Sequence, residues 1–133
     1  SAFRYCYSLA SITIPDGVTS IGESAFTGCS SLASITIHNV ITSIGEYAFD
    51  NCYSLASITM PNGVTSIGNG TFYNCYSVAF YDFTACTTVP TLSNKNAFTN
   101  IPADCQIRVP ASLVNAWKAA TNWSTYANRI VGV

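Results

Sequence analysis

Charged side chains are scarce in this chain: 8% of its 133 residues, against roughly 25% in an ordinary soluble domain, with a formal net charge of −1. Its five strong cations, Arg4, Lys95, Arg108, Lys118 and Arg129, are scattered. They form no basic stripe of the kind that displaces counterions from nucleic acid, and no nucleic-acid partner is expected. No apolar run approaches the ~18–20 residues that cross a bilayer, so no membrane insertion is expected. The chain does not open on a basic segment followed by a hydrophobic stretch, so no signal peptide is legible. Glycines recur singly rather than in a phosphate-cradling loop.

What the chain has in quantity is hydrophobic material, 49% of residues, enough for one continuous core without help from a metal or cofactor. That material is periodic. The stretch SITIPDGVTSIGESAFTGCSSL, from Ser11 to Leu32, returns as SITIHNVITSIGEYAFDNCYSL to Leu55 and as SITMPNGVTSIGNGTFYNCYSV to Val78, with the half copy SAFRYCYSL before them. Stacking the copies gives columns at a spacing of 23 residues: Phe3, Phe26, Phe49 and Phe72; Cys6, Cys29, Cys52 and Cys75; Leu9, Leu32, Leu55 and Val78; Ile12, Ile35, Ile58 and Tyr81.

Within a copy, Ser11, Ile12, Thr13 and Ile14 alternate as a short strand whose isoleucines turn inward. Ile21, Ala25, Phe26 and Cys29 fall at a spacing that predicts a helical turn or two, and Pro15-Asp16-Gly17 and Pro61-Asn62-Gly63 predict turns between the elements. One such unit cannot bury its apolar side alone. Coils stacked at the strand spacing of ~4.8 Å pair their strands in parallel and merge their cores, so the pattern predicts a solenoid.

In its 23-residue period with IP, V, IG, AF, C and L at fixed places, the repeat resembles the BspA-type, or Treponema-type, leucine-rich repeat of many bacterial surface proteins and some protists. The resemblance implies an α/β repeat solenoid, a right-handed superhelix of short parallel strands and short helical turns. Departures are local: His38 replaces the strand-ending proline, Thr71 the alanine before phenylalanine, and Met60 an isoleucine. Regular repeats cover 1–83. A degenerate fifth repeat occupies 84–110, with AFTNIPADCQIRVP at 97–110 reproducing the landmarks of residues 2–15 and Ile101 in the cysteine column. Phe83 to Ala97 is longer than Ile14 to Ala25, and a loop with Cys86, Val89 and Pro90 is expected to replace the VTSIG segment.

Residues 111–133 read as a helical cap that continues the same domain, with Leu113, Trp117, Trp123, Tyr126 and Ile130 available to close the last coil and its strand edge. Similar NWSTYA-type endings close gut-bacterial and phage-associated repeat arrays, so the resemblance implies a natural C-terminus. The first residues lie inside a repeat, and the chain is expected to be the C-terminal piece of something longer, with its first coil open.

Residue by residue, the polar candidates favour structure over chemistry. Four cysteines form a column without C-x-x-C spacing or a histidine, so buried free thiols are expected; Cys86 and Cys105, outside it, are the one pair that could bridge near the cap. His38 is the only histidine, which leaves a nucleophilic triad without a second candidate base. Asp50, Asp82 and Asp104 sit at different phases of the repeat, each read as solvated surface rather than as a metal site or an acid/base pair. No cofactor and no catalytic residue is expected.

What remains is surface. The outward strand positions include Thr13, Thr36 and Thr59, then Phe80, Asp82 and Arg108 where the pattern changes. Tyr7, Tyr53 and Tyr76, with Ser30 interrupting, make a row that either contacts a partner or covers neighbouring coils. The resemblance points to an extracellular or cell-surface recognition and adhesion module that binds a protein or glycan on another cell or host surface. The alternatives are a structural module that self-associates through its open N-terminal coil, and a binding appendage of a larger surface or phage-associated protein.

Overall fold

The computed structural model describes residues 2–133. Strands recur on two sides of the coils. Along one side run β1 (Ser11–Thr13), β3 (Ser34–Thr36), β5 (Ser57–Thr59), β7 (Phe80–Asp82) and β9 (Gln106–Val109). Along the other run β2 (Ser20–Ile21), β4 (Ser43–Ile44), β6 (Ser66–Ile67) and β8 (Thr91–Leu92). Every pairing is parallel and joins equivalent columns: Ser11 lies opposite Ser34, Ser43 opposite Ser66, and Ser57 opposite Phe80. One period of sequence is thus one step along the solenoid.

The second strand in each coil corrects the sequence reading. Where Ile21 to Cys29 predicts a helical turn, the chain makes two strand residues and then a run of tight turns. Alternate N–H groups bond within the coil, as Ala25 to Gly22 and Thr27 to Ser24; those between bond to the next coil, as Phe26 to Ala48 and Gly28 to Asp50. A helix would spend every N–H internally. The turns instead zip neighbouring coils together, and the backbone accommodates this by left-handed residues in two columns, Ser24, Tyr47 and Gly70, then Tyr5, Gly28, Asn51 and Asn74. In the regular coils the helical part of the expected architecture is therefore replaced by turns; among the described residues, helix appears only from Lys95 onward.

The side carrying β1 is interrupted between β3 and β5, which belong to separate sheets. The interruption falls at His38-Asn39-Val40, the copy that lacks Pro-x-Gly. His38 Nε2 donates instead to the Ile14 carbonyl, the Asn39 carbonyl fills the space over Gly63, and Ile37 stays half-exposed where Ile14 and Met60 are buried.

Inside, the columns become ladders. Phe3, Phe26, Phe49, Phe72 and Phe98 stack in sequence with ring centroids 5.3–5.6 Å apart, within the favoured range for offset stacking. The thiols of Cys29, Cys52 and Cys75 donate to the carbonyls of Phe3, Phe26 and Phe49 on the preceding coil, so this column wants a small apolar side chain with one weak donor. All six cysteines are free; Cys86 and Cys105 are both buried and make separate contacts, to the Pro61 and Gln106 carbonyls, rather than a bridge. Thr71, the buried departure from alanine, satisfies its hydroxyl on the carbonyls of Gly45 and Gly68.

In the fifth coil, Thr91 and Leu92 pair with Ser66 and Ile67, so the strand is kept and the added residues are absorbed around it. This corrects the expectation that a loop replaces that segment. A short 3₁₀ turn at Lys95–Phe98 follows, in which the Asn94 side chain accepts from the Asn96 N–H. The cap consists of a 3₁₀ turn at Ala111–Leu113, the helix α1 (Val114–Ala119), a second 3₁₀ segment at Trp123–Arg129 and β10 (Ile130–Gly132). Trp117 and Trp123 are fully buried against Phe83, and Trp123 also packs on Phe98. The sequence reading did not anticipate β10, which pairs in parallel with β9 and covers its edge. No helix among the described residues is long and apolar enough to cross a membrane.

Candidate recognition surface

The solenoid presents three surfaces on which the residues singled out above can be placed. The first is the outward face of the strands. Thr13 and Thr36 face each other in register and are exposed, as is Thr59, whose neighbour in register is Asp82. Asp82 is turned into its own loop, where Oδ1 accepts from the Thr84 N–H at 2.9 Å and the Thr84 hydroxyl at 2.6 Å. Arg108, in register with Asp82, lies with its guanidinium carbon 3.9 Å over the Phe80 ring and donates to Gln106 Oε1 at 3.0 Å. Phe80 and Arg108 are thereby joined into one cation–π platform at the end of a hydroxyl-lined face.

The tyrosine row resolves into two parts. Tyr53 and Tyr76 stack with centroids 5.4 Å apart and planes within 8°, yet 43% and 53% of their surfaces stay exposed. Tyr7 lies apart, packed at 6.0 Å on Tyr5, with Ser30 holding the intervening position. The sequence period places all three in one column; the side-chain contacts bring together only two.

The third surface was missed from sequence. On the turn face, between the third and fourth regular copies and reaching the fifth coil, a hollow of about 280 Å³ is lined by Tyr47, Asp50, Asn51, Asn69, Gly70, Tyr73, Asn74 and Asn96. Asp50, which the sequence suggests is solvated, has its Oδ1 buried without a hydrogen-bond partner, and Asn69 Oδ1 is in the same condition. Burial raises the Asp50 carboxyl above the usual range, against the lowering influence of the Arg4 guanidinium. A signal existed: Asp50 is the one acidic residue in a column otherwise occupied by Arg4, Thr27 and Tyr73, and Asn69 stands where Glu23 and Glu46 precede it. Among the described residues, no group of three His, Cys, Asp or Glu side chains could hold a metal ion.

Short coils stacked through parallel two- and three-residue strands, with apolar ladders inside and an aromatic and hydroxyl exterior, define a leucine-rich-repeat solenoid. The chain belongs to the BspA-type leucine-rich-repeat family, whose repeat region matches residues 1–120 in six copies. A leucine-rich cell surface protein from Faecalibacterium prausnitzii A2-165 is 36% identical, with a TM-score of 0.62 over 67% of this chain and 23% of its own. A leucine-rich repeat protein from Bacteroides ovatus ATCC 8483 shares the fold at 24% identity, with a TM-score of 0.76 over 98% of this chain and 32% of its own. The chain therefore corresponds to less than a third of either protein. None of the curated proteins matches it.

Proposed function

We propose that this solenoid is a non-catalytic recognition module at a bacterial cell surface, binding a protein or glycan of another cell or host through its exposed aromatic and hydroxyl side chains. The observation that carries this reading is the Tyr53–Tyr76 pair, two stacked rings left largely in solvent by a chain that buries its other aromatic ladder completely from Phe26 onward. Stacking holds the rings in place before any partner arrives, which lowers the ordering cost of contact, and each ring offers an apolar face beside a hydroxyl. Cell-surface display is supported by the likeness to the leucine-rich cell surface protein of Faecalibacterium prausnitzii. Replacing both rings, Tyr53→Ala with Tyr76→Ala, is expected to weaken binding to cultured epithelial cells or to a glycan array by at least about tenfold, the loss of one or two interface anchors. Undiminished binding by the folded double variant would remove the pair from the interface and leave the Thr13, Thr36, Thr59, Phe80 and Arg108 face to carry it.

A second reading has its own observation. At the open first coil, an apolar hollow of about 410 Å³ is lined by Phe3, Ile12, Ile14, Val18, Ile21 and Phe26, beside strand edges β1 and β2 that have a neighbour on one side only. A module that stacks through this end would grow with concentration. Light scattering of the isolated chain is expected to report a monomer at every dilution; a size that climbs with concentration would favour the structural role.

A further inference from the structure

Hydrogen bonds between coils run in lines along the solenoid, and the cap continues those lines with side chains. In the first line, the N–H groups of Thr42, Thr65 and Thr91 donate to the carbonyls of Thr19, Thr42 and Thr65, each on the preceding coil. The next acceptor in that line is Pro90, and it takes the indole N–H of Trp123 at 2.8 Å. In the second, Gly45, Gly68 and Ser93 donate to Ile21, Ile44 and Ile67. The next acceptor, Leu92, takes the side-chain amide of Asn122 at 2.7 Å.

A third line runs in the opposite sense. The N–H groups of Phe3, Phe26, Phe49 and Phe72 donate forward to the carbonyls of Ala25, Ala48, Thr71 and Ala97. Phe98, last in that column, donates to the Tyr126 hydroxyl at 3.2 Å. Three backbone groups that a following coil would supply are thus replaced, donor for donor and acceptor for acceptor, by three side chains. On the opposite side β10 takes the place of the following strand on β9. Covering apolar surface alone would require none of these matches.

The groups that the cap imitates are present at the other end of the molecule. In the first coil, the N–H groups of Thr19 and Gly22 and the carbonyl of Ala2 stand in the same three columns, on a side with no neighbouring coil among the described residues. Phe3 and Ile21 there continue the ladders that end at Phe98 and Leu92. Beside β8 the cap leaves a hollow of about 450 Å³ lined by Val89, Leu92, Ser93, Ala120 and Asn122, so on this side it is thinly seated.

We infer that the fifth coil is a docking surface for the first coil of a second copy of this chain, held shut by the side chains of Asn122, Trp123 and Tyr126. Lid and second copy compete for the same three backbone groups. The closed lid keeps the chain monomeric, and its release permits head-to-tail growth. No cell-surface partner is needed for this, and either reading can fail without the other.

Asn122→Gly, Trp123→Phe and Tyr126→Phe together retain the left-handed position at φ 67° and the ring packing while removing the three substitutes. Each loss should raise the open population by about tenfold. Light scattering of the folded triple variant is expected to show an average mass that rises at least about twofold between ~10 µM and ~1 mM, with the Thr19 and Gly22 amide signals shifting over the same range. Parent chain in about tenfold excess should bring the mass back toward that of a dimer, because its first coil docks while its own lid ends growth. A folded triple variant that stays monomeric overturns the proposal, as does growth that excess parent does not shorten. Growth of the parent by itself would overturn it as well, since the lid would then hold nothing shut. Should the triple variant fail to fold, Asn122→Gly alone gives up a single bond and decides the matter: weaker association with the same response to parent supports the docking surface, and a monomer at every concentration overturns it.

Discussion

Replacing the second cap tryptophan, Trp123→Ala, is expected to cost about 5 kcal/mol of unfolding free energy, much of the total a domain of this size possesses. The ring is fully buried and meets Phe83, Phe98 and Trp117 at centroid distances of 5.4–5.5 Å, so it is the keystone where the phenylalanine ladder ends. Truncation of such a ring leaves a cavity worth about 3–5 kcal/mol. It also strands the Pro90 carbonyl, which now accepts from the indole nitrogen at 2.8 Å, and a buried orphan of that kind adds about 1–3 kcal/mol. Urea unfolding monitored by circular dichroism measures the total. Trp123→Phe separates the parts: it should recover most of the packing while still losing the Pro90 bond. A loss below about 1.5 kcal/mol for the alanine variant would mean that the last coil does not need its lid.

Raising the pH should be nearly as damaging. Cys52 and Cys75 are completely shielded from solvent, and desolvation lifts both thiols, Cys75 to about 12 and Cys52 further in the same direction. Cys86 and Cys105, also buried, are pushed up to about 11. In the unfolded chain a thiol ionises near ~8.5. The folded value is the higher one, so the stabilisation these groups give is complete below ~8.5 and is lost as the pH climbs toward the folded value, because only the unfolded chain can release the protons. At pH ~10 each of the two fully shielded thiols forfeits about 2 kcal/mol, together about 4 kcal/mol before Cys86 and Cys105 are considered. The melting temperature should be flat from neutrality to pH ~8 and fall steeply above it. Replacing Cys52 and Cys75 by alanine lowers the neutral-pH stability but should flatten that decline. An equally steep decline without the two thiols would assign the alkaline sensitivity to other groups.

Both expectations rest on features that the sequence already displays. The cysteine column was legible from its 23-residue spacing as a ladder of buried free thiols, and Cys29, Cys52 and Cys75 are that; Cys6, in the first coil with a neighbour on one side only, is half-buried. The tryptophans were legible as a lid because an array of apolar cross-sections has to end somewhere. Neither inference needed coordinates. The candidate site was less accessible. Periodicity placed Tyr7, Tyr53 and Tyr76 in a column but could not say that Ser30 would leave Tyr7 to pack on Tyr5 instead. It put Asp82 beside Arg108 in register, yet Asp82 bonds to Thr84 and Arg108 stacks on Phe80.

By itself, then, the sequence determined the solenoid, its step of one copy per coil, which columns face inward and where the regular copies give way to the tryptophan-bearing segment. Those properties follow from repetition, and repetition is visible in one dimension. Only the tertiary structure decided how the turn face is built. Whether Ile21 to Cys29 forms helix or turns depends on where alternate N–H groups find acceptors, and those acceptors lie about one copy away on the next coil. The hollow follows from the same fact. Tyr47 and Gly70 meet across a coil boundary, and Asp50, half-buried with its Oδ1 shielded, lines a hollow whose other walls come from the next copies. Contacts made by departures from a repeat carry no period, so no spacing could announce them.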